Sequence, residues 1–341
     1  MARIGVIGAG LSGLTAAAAL ADAGHSVCVL DKGRGPGGRM STRRAADGRQ
    51  FDHGAQYFTV EDETFARAVS AWERAGVVET WEGIIGSIAP GQGLAAAAAS
   101  APKPRYVGVP SMNAVCKLMR ERLGVAFGVR IASISRREMQ WTLRDDLGDD
   151  RGEFDAVVIA VPAPQAALLL ETSAPEMAES ARRAKMRSCW AVMAACPDLL
   201  PIEFDGLFIN GGPLAWAARD NSKPGRPAME SWVLHALGVW SDEHVDESQE
   251  QAGNVLVSEF LERMDLPASA IGSWTAHRWR YALPDPALPS RVLESAEGSL
   301  VACGDWCGGP RVEGAFLSGI AAAHQLLEQF DGTSLGSGDG I

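Results

Sequence analysis

Long apolar runs are nearly missing from this chain of 341 residues. Beyond the N-terminus, nothing approaches the ~20 consecutive apolar residues of a membrane-spanning helix. The alanine run from Leu94 to Ser100 is too short, and glycine and proline flank it, so no membrane partner is expected. Lysine is sparse, with only Lys32, Lys103, Lys117, Lys185 and Lys223. The net charge is −11 and no basic stripe appears, which speaks against a nucleic-acid partner. Six cysteines stand at 28, 116, 189, 196, 303 and 307. None forms C-x-x-C, and no His/Cys set has zinc-ligand spacing. No metal is therefore expected, and the thiols read as reduced, mostly buried and cytoplasmic. Only three tyrosines stand against ten tryptophans. Most of the tryptophans are assigned to the core, with several left to line a pocket for a flat ligand.

What is present is concentrated at the N-terminus. Ile4 to Ile7 is a short apolar run with β-branched residues, the pattern of a buried parallel strand. Gly8-Ala9-Gly10-Leu11-Ser12-Gly13 follows, then an alanine-rich helical segment, Leu14 to Ala23, that stops at Gly24. Ser26 to Leu30 is a second strand, and Asp31 ends it. Strand, G-x-G-x-x-G, helix, strand and acid form the fingerprint of a dinucleotide site. Gly8 permits the turn, Gly10 leaves room for a pyrophosphate, and Gly13 allows close packing of helix on strand. The helix N-terminus favours the phosphate charge, and Asp31 is suited to ribose hydroxyls. Arg3 before an apolar stretch superficially matches a secretory leader. The glycines and Asp31 account for the same residues better.

Lys32 to Arg43 holds four glycines and Pro36, which exclude regular structure. This loop is placed to complete a pyrophosphate site, with Arg39 available for a bidentate contact. The plainer reading is a basic surface loop. Gly8-x-Gly10-x-x-Gly13, Asp31 and Gly37-Gly38-Arg39-Met40-x-Thr42 together resemble the flavin amine oxidase superfamily. Phe51-Asp52-His53-Gly54-Ala55-Gln56-Tyr57-Phe58-Thr59 is similar to its renalase-like branch. So are Trp274 to Leu283 and Gly304 to Ala315. The resemblance covers about residues 2 to 330 and is diffuse in the middle.

That resemblance implies an α/β fold. A Rossmann-like FAD-binding domain (1–58, 105–163, 284–330) is interleaved with an α+β substrate domain (59–104, 164–283) on an antiparallel sheet. The arrangement is of the amine-oxidase/p-hydroxybenzoate-hydroxylase kind, with a disordered tail at 331–341. It implies non-covalent FAD, although Cys307 raises the question of a covalent link. It also implies cofactor contacts at Gly8, Gly10, Leu11, Ser12, Gly13, Asp31, Lys32, Gly38, Arg39, Met40, Thr42, Ala55, Gln56, Tyr57, Val129, Asp305, Val312, Glu313, Gly314 and Ala315. The final helix near Gly314 is expected to aim its dipole at the pyrimidine end of the flavin.

Along the rest of the chain, helices are expected at 61–75 (Phe65, Val69 and Trp72 on one face), 111–123, 164–189, 248–264 and 312–330. Strands are expected at 81–88, 125–134, 139–143, 154–161, 190–196, 207–210, 214–218, 230–236 and 299–303. Residues 89–104 read as a surface loop or lid. No second G-x-G-x-x-G unit is visible, so a nicotinamide, if used, enters as substrate. His235, His277, Arg278, Trp279, Arg280 and Tyr281 are the group assigned to the substrate side, each weighed against core packing or ion pairing. His53 reads as a turn residue.

Three functions follow. The resemblance implies an oxidase of 2- or 6-dihydroNAD(P), with hydride passing to flavin and molecular oxygen as acceptor. The second is a flavin-containing amine oxidase or desaturase acting on a small amine. Against the amine, no lysine lies in the final segment. The third is a binding scaffold of the same architecture that has lost its cofactor.

Overall fold

The computed structural model describes residues 1–89, 91, 93–96 and 103–335. It divides into two compact units: residues 1–38, 116–186 and 284–341, and residues 39–115 and 187–283.

The first unit is built on a six-stranded sheet in the order Leu293–Glu294, Leu300–Ala302, Ala156–Ile159, Arg3–Ile7, Ser26–Asp31, Gly124–Phe127. All neighbours are parallel except the edge strand Leu293–Glu294. Strands buried on both faces read as continuous apolar runs, as Ala156–Ile159 does. Arg3–Ile7 has chain leaving to either side of it, the switch point at which open α/β sheets bind ligands. The helix Leu11–Asp22 lies against the C-terminal helix Arg311–Leu335. Gly319 makes this crossing possible: a Cβ there would overlap the Ser12 carbonyl oxygen and come 2.9 Å from Thr15 Cβ. A three-stranded antiparallel sheet (Ile131–Arg137, Gln140–Asp145, Asp150–Phe154) packs Leu143 and Phe154 against Gly5.

The second unit carries a seven-stranded sheet in the order Ser273–Pro284, Met186–Ala195, Ser231–Ala236, Leu214–Arg219, Gly206–Ile209, Ile85–Ile88, Ala95–Ala96. Alternation assigns its faces. Trp232, Leu234 and Ala236 join the cluster formed with Leu256 and Phe260 of the helix Gln249–Arg263. Val233 joins Met193 and Phe51 in a separate cluster. His235 therefore shares the face away from the helix.

Several expectations are corrected. The stretch 125–134 is two strands in two sheets, because Gly128 turns the chain at φ +73°. Residues 164–189 are two helices, Ala163–Leu170 and Pro175–Arg183, followed by a strand from Met186. The helix expected at 111–123 spans Ala114–Glu121. Only Ile85–Ile88 of 81–88 joins the large sheet, and it runs parallel to Gly206–Ile209, so that sheet is mixed. The last helix continues to Leu335, so helix replaces the start of the expected tail, and 336–341 lie outside the described residues. Much of the expected lid at 89–104 also lies outside them. By compactness, 39–58 and 105–115 go with the second unit and 164–186 with the first, unlike the sequence division. The reason is packing: Phe51 sits with Met193 and Val233, while Ala163 to Ala184 pack with Val157 and Ile159.

Gly319→Val is expected to lower stability by about 1–3 kcal/mol, the cost of forcing volume into a closed contact. A urea midpoint unchanged from the parent would show that the two helices can separate freely.

Candidate functional site

The glycine turn comes first. Gly8 sits at φ +114°, where a Cβ would lie 2.5 Å from the Ala160 carbonyl oxygen. A Cβ on Gly13 would overlap the Gly8 carbonyl. Gly10 caps the helix Leu11–Asp22 with no side-chain hydrogen bond, and a Cβ there would meet nothing within 4 Å. The helix N-terminus thus opens on free space, with its first N–H groups lacking intrahelical acceptors. Gly37 N donates to Ala9 O at 2.9 Å, and the Gly37-Gly38 segment lies along Gly10. This cradle fits a pyrophosphate, and a side chain at Gly10 would fill it.

Asp31 braces the turn. Its carboxylate accepts from Ala9 N and Gly33 N, both at 2.5 Å. A carboxylate has about four lone-pair sites, so acceptor capacity remains for ribose hydroxyls. Val129 lies beside it, but its N–H donates to Asp31 O at 2.9 Å; only its carbonyl is left of the two backbone groups assigned to adenine. Lys32 Nζ donates to Gln165 Oε1 at 3.1 Å. The Ser12 hydroxyl donates to Cys303 Sγ at 3.1 Å, and Leu11 is buried.

At the other end of the unit, Asp305 follows the strand Leu300–Ala302 and is buried. Val312, Glu313, Gly314 and Ala315 form the first turn of Arg311–Leu335. A Cβ on Gly314 would overlap the Gly309 carbonyl, so the Gly-Gly turn folds directly onto the helix start. Cys307 is fully buried, and burial pushes its thiol pKa upward. Such a thiol is almost never a thiolate, the form needed to attack a flavin.

In the second unit, the segment 39–57 is fixed by a buried ion network. Asp52 is fully buried and accepts from Thr42 Oγ1 (2.5 Å), Arg226 Nη2 (2.6 Å), Met112 N (3.2 Å) and Lys223 Nζ (3.4 Å). Lys223, whose side chain is 0% exposed, also reaches Asp220 at 2.7 Å and Gln56 Oε1 at 3.1 Å. Burial alone would raise the Asp52 carboxyl pKa; Lys223 and Arg226 outweigh it and hold it low. Asp220 is pushed the other way, by burial and by the Asp52 charge. Gln56 donates to Asp52 O and Gly54 O, so its amide is spent inside this loop. Thr42 is spent likewise, against the expectation that these side chains contact cofactor. Met40 is buried. Ala55 N donates to Arg39 O, and one Arg39 amino group donates to Ala282 O at 3.0 Å.

The same loop presents His53, which the sequence reading passed over as a turn residue. Its ring lies 5.0 Å from both His277 and Trp279, and those two are 4.4 Å apart. Its carbonyl accepts from Trp279 Nε1 at 2.9 Å and contacts His235 Nε2 at 3.1 Å. His53 Nδ1 is buried with no hydrogen-bond partner. Burial lowers His53 to about 4, helped by His277, His235 and Arg43. His235 is lowered to about 4 by burial, and His277 is lowered by burial and Arg43. Two uncharged imidazoles, His53 and His277, thus flank the Trp279 indole, and a third, His235, meets the same His53 carbonyl as that indole. The signal in the sequence was His53 preceding the G-A-Q-Y run.

Strand alternation divides the remaining candidates. Arg278 shares the helix-side face with Ala276, donates to Val245 O and lies over Trp190 at 5.6 Å. Arg280 pairs with Asp246 at 2.9 Å. Tyr281 makes no ring contact with His53, His277 or Trp279. Tyr57 lies 5.7 Å from Trp216 and 6.2 Å from Trp81, and Phe208 is 4.8 Å from Trp216. Among the described residues no His/Cys/Asp/Glu group suits a metal ion, and no helix is long and apolar enough to cross a membrane.

Lys223→Met should cost about 3–5 kcal/mol near neutral pH, the penalty for stranding a buried charge. The deficit should shrink in acid, because a protonated Asp220 needs no cation. Urea melts at two pH values test this. A pH-independent deficit would mean that Lys223 contributes packing alone.

Residues 6–71 match the NAD(P)-binding Rossmann-like domain family, and residues 106–327 match the flavin containing amine oxidoreductase family. A 60-residue stretch, 18% of the chain, is 43% identical to 4,4'-diapophytoene desaturase (4,4'-diaponeurosporene-forming) of Staphylococcus aureus strain Newman. It spans only 12% of that relative's length. Among solved structures, a redesigned putrescine oxidase triple mutant aligns with TM-score 0.76 at 15% identity, over 96% of this chain and 99% of that one. Cyclohexylamine oxidase from Brevibacterium oxydans IH-35A aligns with TM-score 0.73 at 15% identity, over 97% and 99%. At such identity the likeness speaks to fold: a Rossmann-like FAD-binding domain with an amine oxidase domain. The second match alone spans about two thirds of the sequence, and the chain belongs to the flavin-containing amine oxidoreductase family.

Proposed function

We propose that this protein is an FAD-dependent oxidase of isomeric dihydronicotinamide dinucleotides, 2- or 6-dihydroNAD(P), with FAD held non-covalently. The net reaction takes the dihydro isomer, O2 and a proton to NAD(P)+ and H2O2. FAD, when bound, supplies the hydride acceptor and its reoxidation by oxygen. The chain's part is to hold the cofactor and place the substrate. The adenosine and pyrophosphate are assigned to Asp31, Gly10 and the N-terminus of Leu11–Asp22. Asp305 is assigned to the ribityl chain, and the first turn of Arg311–Leu335 to the negative charge of the reduced ring.

The observation that carries this reading is the pair of uncharged histidines, His53 and His277, that flank Trp279. A dihydronicotinamide becomes a cationic ring as its hydride leaves. Imidazolium groups beside it would oppose that charge, whereas neutral imidazoles offer hydrogen bonds to a carboxamide at no such cost. The Trp279 indole is a flat surface on which the ring can stack. Burial of Cys307 supports a non-covalent cofactor.

A second reading, amine oxidation or desaturation, is favoured by the aromatic wall of Tyr57, Trp81, Trp216 and Phe208. Against the amine reading, the buried Lys223 is fully engaged with Asp52, Asp220 and Gln56.

Asp31→Ala should release FAD on dialysis, read as loss of absorbance near ~450 nm, the band of the oxidised cofactor. Retention equal to the parent would remove Asp31 from the cofactor site. Anaerobic stopped-flow with 2- and 6-dihydroNAD, 4-dihydroNADH and a panel of amines tests the reaction. Fast bleaching by the 2- or 6-isomer alone is expected. Bleaching by an amine, with those isomers inert, selects the second reading.

A further inference from the structure

The ring cluster assigned to the nicotinamide has an open side. His53 is buried, but His277 and Trp279 are only half-buried. The His277 imidazole makes no hydrogen bond among the described residues. One cation is aimed toward that side. The strand Arg43–Arg44 pairs antiparallel with Gln50–Phe51, and Arg43 stands directly opposite Phe51. Residues directly opposite in such a pair project to the same face. Phe51 packs on Met193 and Val233. Val233 shares a strand face with His235, two residues along Ser231–Ala236. Arg43 therefore leaves its ladder toward the sheet face that carries the rings, and Arg44 leaves it on the opposite side.

Both histidines of the cluster feel the Arg43 charge. Burial lowers the His277 pKa and Arg43 adds to it; in His53, Arg43 adds to burial, His277 and His235. Arg44 acts on neither. Other arginines of this unit are committed. Arg226 pairs with Asp52 at 2.6 Å and Arg280 with Asp246 at 2.9 Å. Arg49 pairs with Asp47 and donates to Cys196 O at 2.9 Å. Arg43 is exposed, and among the described residues its side chain has no hydrogen bond and no acid in ion-pair distance. Its five N–H donors form a fork that matches phosphate oxygens. A bare cation here would oppose the positive charge that develops on a dihydronicotinamide as its hydride leaves. A substrate that brings its own phosphate removes that opposition. A cationic amine does not, and is repelled as well.

We infer that Arg43 is a specificity-determining residue of the oxidase: its guanidinium pairs with the substrate phosphate nearest the nicotinamide riboside while the ring lies at His277 and Trp279. This rests on the dinucleotide reading proposed above. It separates the two candidate substrate classes, because a small amine carries no group that Arg43 would recognise. The second source of the same chemistry is a phosphate of the cofactor, and flavin retention tells the two apart.

The test uses the FAD-loaded protein, its Arg43→Gln variant and an Arg44→Gln control that removes the same charge from the other face of the ladder. The probes are nicotinamide mononucleotide and nicotinamide riboside, which differ by that one phosphate, with binding read by calorimetry. The parent and the control should bind the mononucleotide roughly tenfold or more tighter than the riboside, the range for a charged hydrogen bond. Arg43→Gln should bind the two alike. It should also raise the KM for 6-dihydroNAD by a similar factor with little change in kcat, and all three proteins should keep their flavin on dialysis. Equal binding of the two probes by the parent, or the same preference in parent and Arg43→Gln, would overturn the assignment. Loss of flavin from Arg43→Gln would also overturn it, by giving the guanidinium to the cofactor. If an Arg43-dependent preference is found while dihydro isomers are not oxidised, the role of Arg43 stands and the proposed reaction fails. If the isomers are oxidised and Arg43→Gln changes neither the preference nor KM, the reaction stands and the role of Arg43 fails.

Discussion

The first unit depends on backbone approaching backbone more closely than any side chain allows. Gly13 stands against the Gly8 carbonyl, and Gly319 against the Ser12 carbonyl. With those two contacts the helix Leu11–Asp22 is clamped between the parallel sheet and the C-terminal helix. Its N-terminus then emerges over Gly10, where nothing fills the space. The orphan N–H groups of a helix end must find acceptors outside the helix. Asp31 holds the geometry by taking two backbone N–H groups of the surrounding turns. The acid is thus structural, with lone pairs to spare.

The second unit solves a different problem with charge. A loop of irregular backbone, 52–57, has to be held still beside a sheet. Asp52, Lys223, Asp220 and Arg226 do so as a buried set of two acids and two cations. Such a set gives little net stability against an apolar equivalent, but removing one member is costly. Its effect is to fix where the His53 carbonyl and ring lie. The Trp279 and His235 side chains then converge on that carbonyl. Burial that keeps the histidines uncharged follows from the same rigidity.

Much of this was legible in residue order. The G-x-G-x-x-G turn, its helix and the acid at the end of the second strand could be read directly, because each rests on local backbone rules. So could the apolar faces of Glu63–Arg74 and Gln249–Arg263, and the family itself. The places where reading failed were set by distant contacts. Gly128 turns one apparent strand into two members of different sheets. Gln56 and Thr42 look like cofactor ligands in a motif, yet Lys223 and Asp52 claim them. His53 looks like a turn residue until two strands some 180 and 225 positions further on close around it.

Residue order alone was enough to specify the strand–glycine turn–helix unit and where its glycines and acid stand, since those demands act over a few neighbouring residues. Tertiary structure alone decided which polar side chains are consumed in bracing and which are left for chemistry. Among the described residues it left Arg278 with no acid in ion-pair distance, while Arg280, two residues along the same strand, has Asp246. It also made the histidines neutral, because desolvation depends on everything that packs around a group rather than on the residues beside it in the chain.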